Sequence, residues 1–366
     1  MIALQASGVL VAALVLLFMT TTAEAREPGL DPQRVAEVAA MLAPDPAGPG
    51  RPITDRAAWE KLGRLAPYRA MVARAQKLLE EPLPELPDDL YLDFSRTGNR
   101  TRWQRKASSR RGRLTPLVLS ECVENEGRFL PAIEELVHAL CAERTWVMPA
   151  HDRSLANFEG KTIDIDLASS ALAWQLAEAN YLLGDRLSAA TRQEIRDNVA
   201  RRVLNPYRDM YSGKRPANWW MKTTNNWNAV CLAGVTGAGL AQLPSRQERA
   251  EFVVAAEYYS RNFLRGFTSD GYCSEGLGYW NYGFGHYVLL AETVRQATGG
   301  RIDLMSRPEV KAPATFGARI GIIGGVYPAF ADCHLHTRPS AVIMWFVNRI
   351  FGLGLKGYEE LDLARA

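Results

Sequence analysis

From Asp31 onward, apolar residues recur at the spacing of a helix face, and the period-two alternation of a half-buried strand is scarce until the C-terminal part of the chain. That pattern commits the chain to burying helical stripes against one another, and the fold class it predicts is all-α. The clearest helix begins at Ser188, a good N-cap, carries Ile195, Val199 and Val203 on one stripe, and is expected to stop near Pro206. Another opens with Ser245-Arg-Gln-Glu248, a capping-box spelling, and places Phe252, Ala256, Tyr259 and Phe263 on one face.

Two stretches differ from these amphipathic helices. Val230 to Leu243 is rich in Ala and Gly, which weakens its intrinsic propensity but lets neighbours come close, so this helix depends on tertiary packing. Leu167 to Leu183, apolar with Trp174 and Tyr181, reads as a buried inner helix. With 366 residues, 47% of them apolar and 23% charged, the chain has material for one large helical core. The pattern is one of successive helix pairs joined by loops carrying Pro, Gly and aromatic residues, without a strict internal repeat. After Gly317, Ile320 to Phe330 is Gly-broken and β-prone, so a transition toward β structure is expected there.

At the N-terminus, the apolar run Val9 to Met19 followed by Ala23-Glu24-Ala25 reads as a signal peptide over 1–25, which predicts export to the periplasm or the extracellular space. A formal net charge of +3 gives no ground for a nucleic-acid or membrane partner. Charge is concentrated locally, in the Pro-rich then basic stretch Pro82 to Arg113, which is either a solvated loop or a rim that attracts a polyanionic sugar. The five cysteines, Cys122, Cys141, Cys231, Cys273 and Cys333, lie far apart with no CxxC pair, so they read as buried small hydrophobes. His334 and His336 are not counted as metal ligands, and neither a metal nor a cofactor is predicted.

Three segments combine aromatics, amides and ionisable groups: Trp146 to Asp152, Asn218 to Asn228, and Asp270 to Tyr287. Pyranose rings stack their apolar faces on Trp and Tyr, while their hydroxyls and carboxylates need amide and cationic donors at the edges. Trp219, Trp220, Trp227 and Trp280 suit the first task, each with the alternative of a core aromatic. Arg215, Lys222, Glu275, Tyr282 and His151 complete the set of candidate substrate contacts. Tyr279, Tyr282 and His286 are spaced i, i+3 and i+7, on one face if that segment is helical, and that face offers a proton-transfer group or a packing stripe. Asn225 and Asn226 stand where a helix begins, so one serves as N-cap and the other is left for a ligand.

Over about Trp146 to Arg338 these segments resemble the heparinase II/III and alginate-lyase superfamily of polysaccharide lyases. The resemblance rests on Trp146 to Asp152, on the Asn225-Asn226 turn opening an Ala/Gly-rich helix, on Glu275-Gly-x-x-Tyr279-x-x-Tyr282, and on Pro328-Ala-Phe-Ala-Asp332-Cys333. It implies an incomplete α/α toroid over 26–320, with 321–366 as a transition toward a β-sandwich domain cut short. It implies β-elimination on a uronic-acid polysaccharide or oligosaccharide, with Asn226, or its rival Asn225, neutralising the uronate carboxylate and Tyr279 moving the proton. Many members have His directly after that Asn, where this chain has Trp227.

The chemistry accounts for these residue types. A C5 proton is weakly acidic, so its removal needs the neighbouring carboxylate's charge offset, by an amide aided by a helix N-terminus and by Lys222 or Arg215. Tyrosine ordinarily titrates near a pKa of about 10, so as a base Tyr279 needs nearby positive charge, which a neighbouring His or Arg would supply. Two other functions are compatible with the same sequence. A glycoside hydrolase would draw its two carboxylates from Asp164, Asp166, Asp270 and Glu275, and a non-catalytic or truncated sugar-binding remnant would bind without turnover.

Overall fold

The computed structural model describes residues 29–361, so the expected signal peptide at 1–25 lies outside the described residues. Within them the chain is all-α, and the sole β pairing is an isolated antiparallel bridge between Ile323 and Val326. Helices α1 (Pro32–Ala39), α2 (Arg56–Gly63), α3 (Ala66–Glu80), α4 (Asp88–Thr97) and α5 (Thr101–Arg111) come first. The central part contains α6 (Leu114–Glu124), α7 (Leu130–Cys141), α8 (Leu167–Leu183), α9 (Ala189–Val199) and α10 (Asn205–Tyr211). It continues with α11 (Asn226–Gln242), α12 (Arg246–Leu264), α13 (Gly276–Tyr279) and α14 (Gly285–Ala297). Short α15 (Lys311–Ala314) and α16 (Phe316–Arg319) precede α17 (Ala341–Phe351).

The register between α8 and α11 organises the rest. A Cβ on Gly234 would stand 2.6 Å from the Ser170 backbone, and one on Gly237 would stand 2.3 Å from the Trp174 ring. Contacts that advance together along both chains mean that the two helices run parallel, almost backbone to backbone. This is why the Ala/Gly-rich sequence is helical despite its weak propensity: every residue of α11 except Trp227 is buried. The end of α6 lies beside the end of α8, where Arg186 approaches the Asn125 carbonyl at 3.5 Å and Glu121 at 3.7 Å. At the opposite end, Gly283, just before α14, lies against Asn226, the first residue of α11. Thus α6, α8, α11 and α14 point the same way, and α7, α9 with α10, and α12 return the chain between them. The connections 142–166, 212–225 and 265–284 are all delivered to the end where the inner helices begin.

Local signals explain most boundaries. Ser188 caps α9 by accepting from the Thr191 amide, and Ile195, Val199 and Val203 are fully buried, as the stripe predicts. Pro206 does not end this helix: a π-helical segment, Ala200–Leu204, intervenes, and Pro206 enters at the first turn of α10, where its missing N–H costs nothing. Ser245 caps α12, but Glu248 pairs with Arg208 at 2.7 Å rather than closing the box. Phe252, Ala256, Tyr259 and Phe263 are buried as expected. The stretch Ile320 to Phe330, expected to be β-prone, is non-helical and contains the isolated Ile323–Val326 bridge, while α17 follows it with Ile343, Met344 and Val347 buried, Met344 against Gly317 and Ile343 against Gly285. Cys122, Cys141, Cys231 and Cys273 are buried free thiols and Cys333 is half-buried.

Toward the far end of α8, a cavity of about 790 Å³ opens among Trp59, Leu62, Leu114, Val118, Trp174 and Leu182. Glu178 borders it, accepting from the Gly50 amide at 3.1 Å while its Oε2 is buried with no partner among the described residues. Burial pushes its carboxyl up to about 7, against the opposing pull of the Gly50 amide and Trp174.

Two outcomes follow from this packing. Gly234→Ala gains about 1 kcal/mol of helix propensity, yet it must move the Ser170 backbone, so overpacking prevails and urea unfolding should show a net loss of about 1–3 kcal/mol. For Glu178, the folded state holds its proton above the ordinary carboxylate range, so stability falls as pH rises from about 4.5 through about 7. Glu178→Gln should therefore raise the melting temperature at pH 8, recovering at most about 3 kcal/mol, and change it little at pH 4; equal shifts at both pH values would contradict the assignment.

Candidate functional site

The segment entering the site from α7 is anchored before it arrives. Trp146, fully buried, donates its indole N–H to the Leu140 carbonyl at 2.8 Å. Arg202, presented by the first π segment, lies over the Trp146 ring and donates to the carbonyls of Cys141, Glu143 and Arg144, neutralising the end of α7. Beyond this anchor, Asp152 is buried and accepts from the Tyr91 hydroxyl and from the amides of Asn157 and Phe158, which fixes the turn that follows.

His151, between these two anchors, binds the N-cap of α8. Its Nδ1 lies 2.7 Å from Asp166 Oδ2, which also accepts from the Met148 amide, while Oδ1 accepts from the Ser169 amide at 2.8 Å. Burial works against the Asp166 charge, but the hydrogen bonds from His151, Met148 and Ser169 outweigh it and hold the carboxyl below its usual range. The His151 ring packs on Trp227 with centroids 4.5 Å apart, and Trp227 on Trp219 at 4.7 Å. Trp219 is 56% exposed, so the three rings form a platform running from the interior to solvent.

At the start of α11 the two asparagines divide their tasks. Asn225 is the N-cap, accepting from the Trp227 amide at 3.1 Å, and remains half-exposed. Asn226 is buried, and its Nδ2 donates to both Glu275 oxygens at 3.0 and 3.3 Å. Gly283 approaches it so closely that a Cβ there would stand 2.9 Å from the Asn226 Cβ. After Glu275, Gly276 takes φ +86°, and a side chain there would strike the Phe330 carbonyl at 2.7 Å and Cys333 at 3.0 Å. The sequence pieces around His151, Asn226, Glu275 and Cys333 are therefore in contact, one after the next.

The aromatic stretch after Gly276 is helical with a π-helical interruption, Trp280–Phe284, a feature frequent at functional sites. Tyr279 is half-buried at its entrance, and Tyr282 and His286 lie edge to face with centroids 4.8 Å apart. Burial, then Cys231, Asp166 and Tyr279, push the Tyr282 phenol up to about 12, so it stays protonated. Burial lowers His286, opposed by its bond to the Tyr282 carbonyl at 2.7 Å. A carbonyl accepts only, so Nδ1 carries the hydrogen. Burial disfavours the imidazolium form of His286, which makes it a poor source of positive charge beside Tyr279.

Other expectations are corrected. Trp220 and Trp280 are fully buried, with their indole N–H groups given to the carbonyls of Ile165 and Pro313; they are core residues, because both follow the inward side of their turns. Arg215 turns to Asp164 at 3.7 Å, within a network where Asn157 and Asn218 also donate to Asp164. Lys222 is exposed, one residue past the Trp219–Met221 turn. In the basic stretch, Arg96, Arg102, Arg111 and Arg113 pair with Asp89, Asp93, Glu143 and Glu81, and Arg110 donates to the Pro84 carbonyl, so most of that charge is spent on the fold. The four carboxylates a hydrolase would draw on are each tied to neighbours of their own: Asp164 and Asp166 as above, Glu275 to Asn226, and Asp270 to Thr268 and the Tyr272 amide. Among the described residues no three His, Cys, Asp or Glu side chains gather as a metal site requires.

Asp166 is the residue of this site that sequence reasoning missed, naming it only among four candidate carboxylates for the alternative hydrolase. Its signal was the spelling Asp166-Leu-Ala-Ser169 ahead of an apolar run, a reciprocal cap that the structure contains. Comparison with known proteins finds no family model that matches the chain and no curated protein with a significant match.

The contrast between adjacent tryptophans is measurable. Trp219→Ala should leave urea stability within about 0.5 kcal/mol, whereas Trp220→Ala should cost about 3–5 kcal/mol.

Proposed function

We propose that this protein is a polysaccharide lyase that cleaves a uronic-acid-containing polysaccharide or oligosaccharide by β-elimination. The observation that carries the proposal is convergence: the N-termini of α8 and α11, the Trp227–Trp219 platform, the half-exposed Asn225 and the Tyr279–Tyr282 pair all lie at one end of the parallel inner helices. Two helix N-termini favour an anion, aromatic faces favour a pyranose, and a phenol beside them suits proton transfer. Alternating inner and return helices are also what the α/α toroid of the resembled superfamily would require, and such a substrate fits the export expected from 1–25.

In this reading the uronate carboxylate is received at the amide turn, where the helix N-termini offset its charge. Tyr279 removes the C5 proton, the electron pair closes the C4–C5 double bond, and the C4–O4 bond breaks. The same phenol then returns its proton to the departing O4 oxygen. Asn226 takes a different part from the one first expected of it. With its amide nitrogen committed to Glu275 and its side chain buried, it positions the α13 turn, and Asn225 is the amide left facing the substrate. Tyr282, kept neutral, serves as a hydrogen-bond donor to the bound sugar.

The test is to incubate the protein with alginate, hyaluronan and heparan-type chains and follow ultraviolet absorbance. Elimination creates a conjugated C4–C5 double bond and hydrolysis does not. Tyr279→Phe should reduce turnover by roughly 10²–10⁴-fold while leaving sugar binding intact. Chain cleavage without new absorbance would favour a hydrolase, and binding without turnover would favour a non-catalytic sugar-binding protein.

A further inference from the structure

We propose that the cavity beside α8 is a second binding site, which takes a small organic amine with an apolar body and pairs its ammonium with Glu178. The inference goes beyond the lyase reading and does not depend on it. The cavity opens toward the far end of α8, away from the amide turn and the indole platform. Its volume of about 790 Å³ suits a molecule of drug size, and its walls are mostly apolar, with Leu182 from α8 and Leu289 from α14. Trp59, Tyr68 and Trp174 add aromatic surface, whose electron-rich faces attract an organic cation.

Glu178 is the one carboxyl in the lining, and it lacks a counter-charge. Its Oε1 accepts from the Gly50 amide at 3.1 Å, whereas Oε2 is buried with no partner among the described residues. Arg51, the one cation in the lining, has a side chain 73% exposed that leans toward Asp55 at 4.0 Å. The segment 48–51 roofs the carboxyl, tied down by the Trp59 indole N–H on the Arg51 carbonyl at 3.1 Å. A side chain on Gly48 would strike Oε2, and one on Gly50 would crowd Oε1. The roof closes that side, so a partner for the carboxyl must arrive through the cavity. A buried carboxylate without a partner is costly, and an ammonium brought against it offsets that cost. An alcohol of the same shape offers a hydrogen bond without charge, and a carboxylic acid adds a second negative charge.

Burial pushes the Glu178 carboxyl up to about 7, so one pH unit lower about a tenth of it is ionised. The groups around it hold their charge over that range. Burial raises Tyr68 on α3, Cys122 on α6 and Tyr181 on α8, and all three stay neutral. Arg56 on α2 is bound to the carbonyls of Ile53, Cys122 and Val123. From α11, Gly237 packs on Trp174, and α14 contributes Leu289. An alkyl ammonium keeps its proton near neutral pH and binds the ionised carboxyl. Amine affinity is therefore full above about pH 7 and falls as pH drops through the Glu178 titration, where binding expels the carboxyl's proton.

The experiment uses the full chain and three probes of one shape, phenylbutylamine, phenylbutanol and phenylbutyrate. Isothermal titration calorimetry is run at pH 6 and pH 8, each in two buffers of different ionisation enthalpy. At pH 8 the amine is expected to bind roughly ten- to a hundredfold more tightly than the alcohol, and the butyrate more weakly than either. At pH 6 the amine should lose about tenfold in affinity, and its binding should release close to one proton to the buffer. Glu178→Gln should bring amine affinity down to that of the alcohol and abolish both the pH dependence and the proton release. The probe comparison in the wild type needs no variant, so it stands by itself if Glu178→Gln fails to fold. Equal affinity for amine and alcohol, tighter binding of the butyrate, an amine preference that survives in Glu178→Gln, or no binding of any probe overturns the amine site.

Discussion

The parallel contact between α8 and α11 is the constraint on which the rest depends. It requires Gly234 and Gly237, because any side chain at either position would enter the Ser170 backbone or the Trp174 ring. Close parallel packing puts two helix N-termini side by side, and those termini have unsatisfied N–H groups and partial positive charge. A protein must cap such an end or use it. Here Asp166 and Asn225 cap the two helices, and both caps also face the candidate site.

Each cap carries a second duty, and this economy explains the polar network. Asp166 satisfies the first turn of α8 and holds His151. Asn225 satisfies α11, and its neighbour Asn226 reaches inward to hold Glu275, whose following glycine lets the Phe330–Cys333 loop approach. Charges that look available in the sequence are in part engaged elsewhere: Arg202 closes the end of α7, and Arg96, Arg102, Arg110, Arg111 and Arg113 pair with carboxylates or carbonyls. The groups that face solvent at this end include an indole platform, an amide, an imidazole, two phenols and the exposed Lys222. Two π-helical segments, Ala200–Leu204 and Trp280–Phe284, adjust the phase of the helices that deliver these groups.

Much of the fold was legible because local signals and burial agreed. Helical periodicity gave the all-α class, Leu167 to Leu183 was a helix with those bounds, and Ser188 and Ser245 capped where expected. The failures have physical causes. Pro206 looked like a stop, but a π turn ahead of it removed the demand for its N–H. Ile320 to Phe330 looked β-prone, and in the structure that stretch forms no more than the bridge between Ile323 and Val326, because no neighbouring strand is there to extend it among the described residues. Trp220 and Trp280 shared the composition of the candidate site while facing away from it, since composition does not say which side of a turn points inward.

By itself the sequence determined the helices, their caps, the need for close packing around an Ala/Gly-rich segment, and the pool of aromatic and amide residues from which a sugar site would be drawn. These are properties of short stretches, governed by period, capping chemistry and side-chain volume. The tertiary structure alone decided which residues of that pool share one end of the molecule, that His151 meets Asp166, that Asn226 turns inward to Glu275, and that Arg215 is spent on Asp164. Those pairings join residues brought together by the parallel register of α8 and α11, and no local pattern encodes a register between helices separated by a whole return helix.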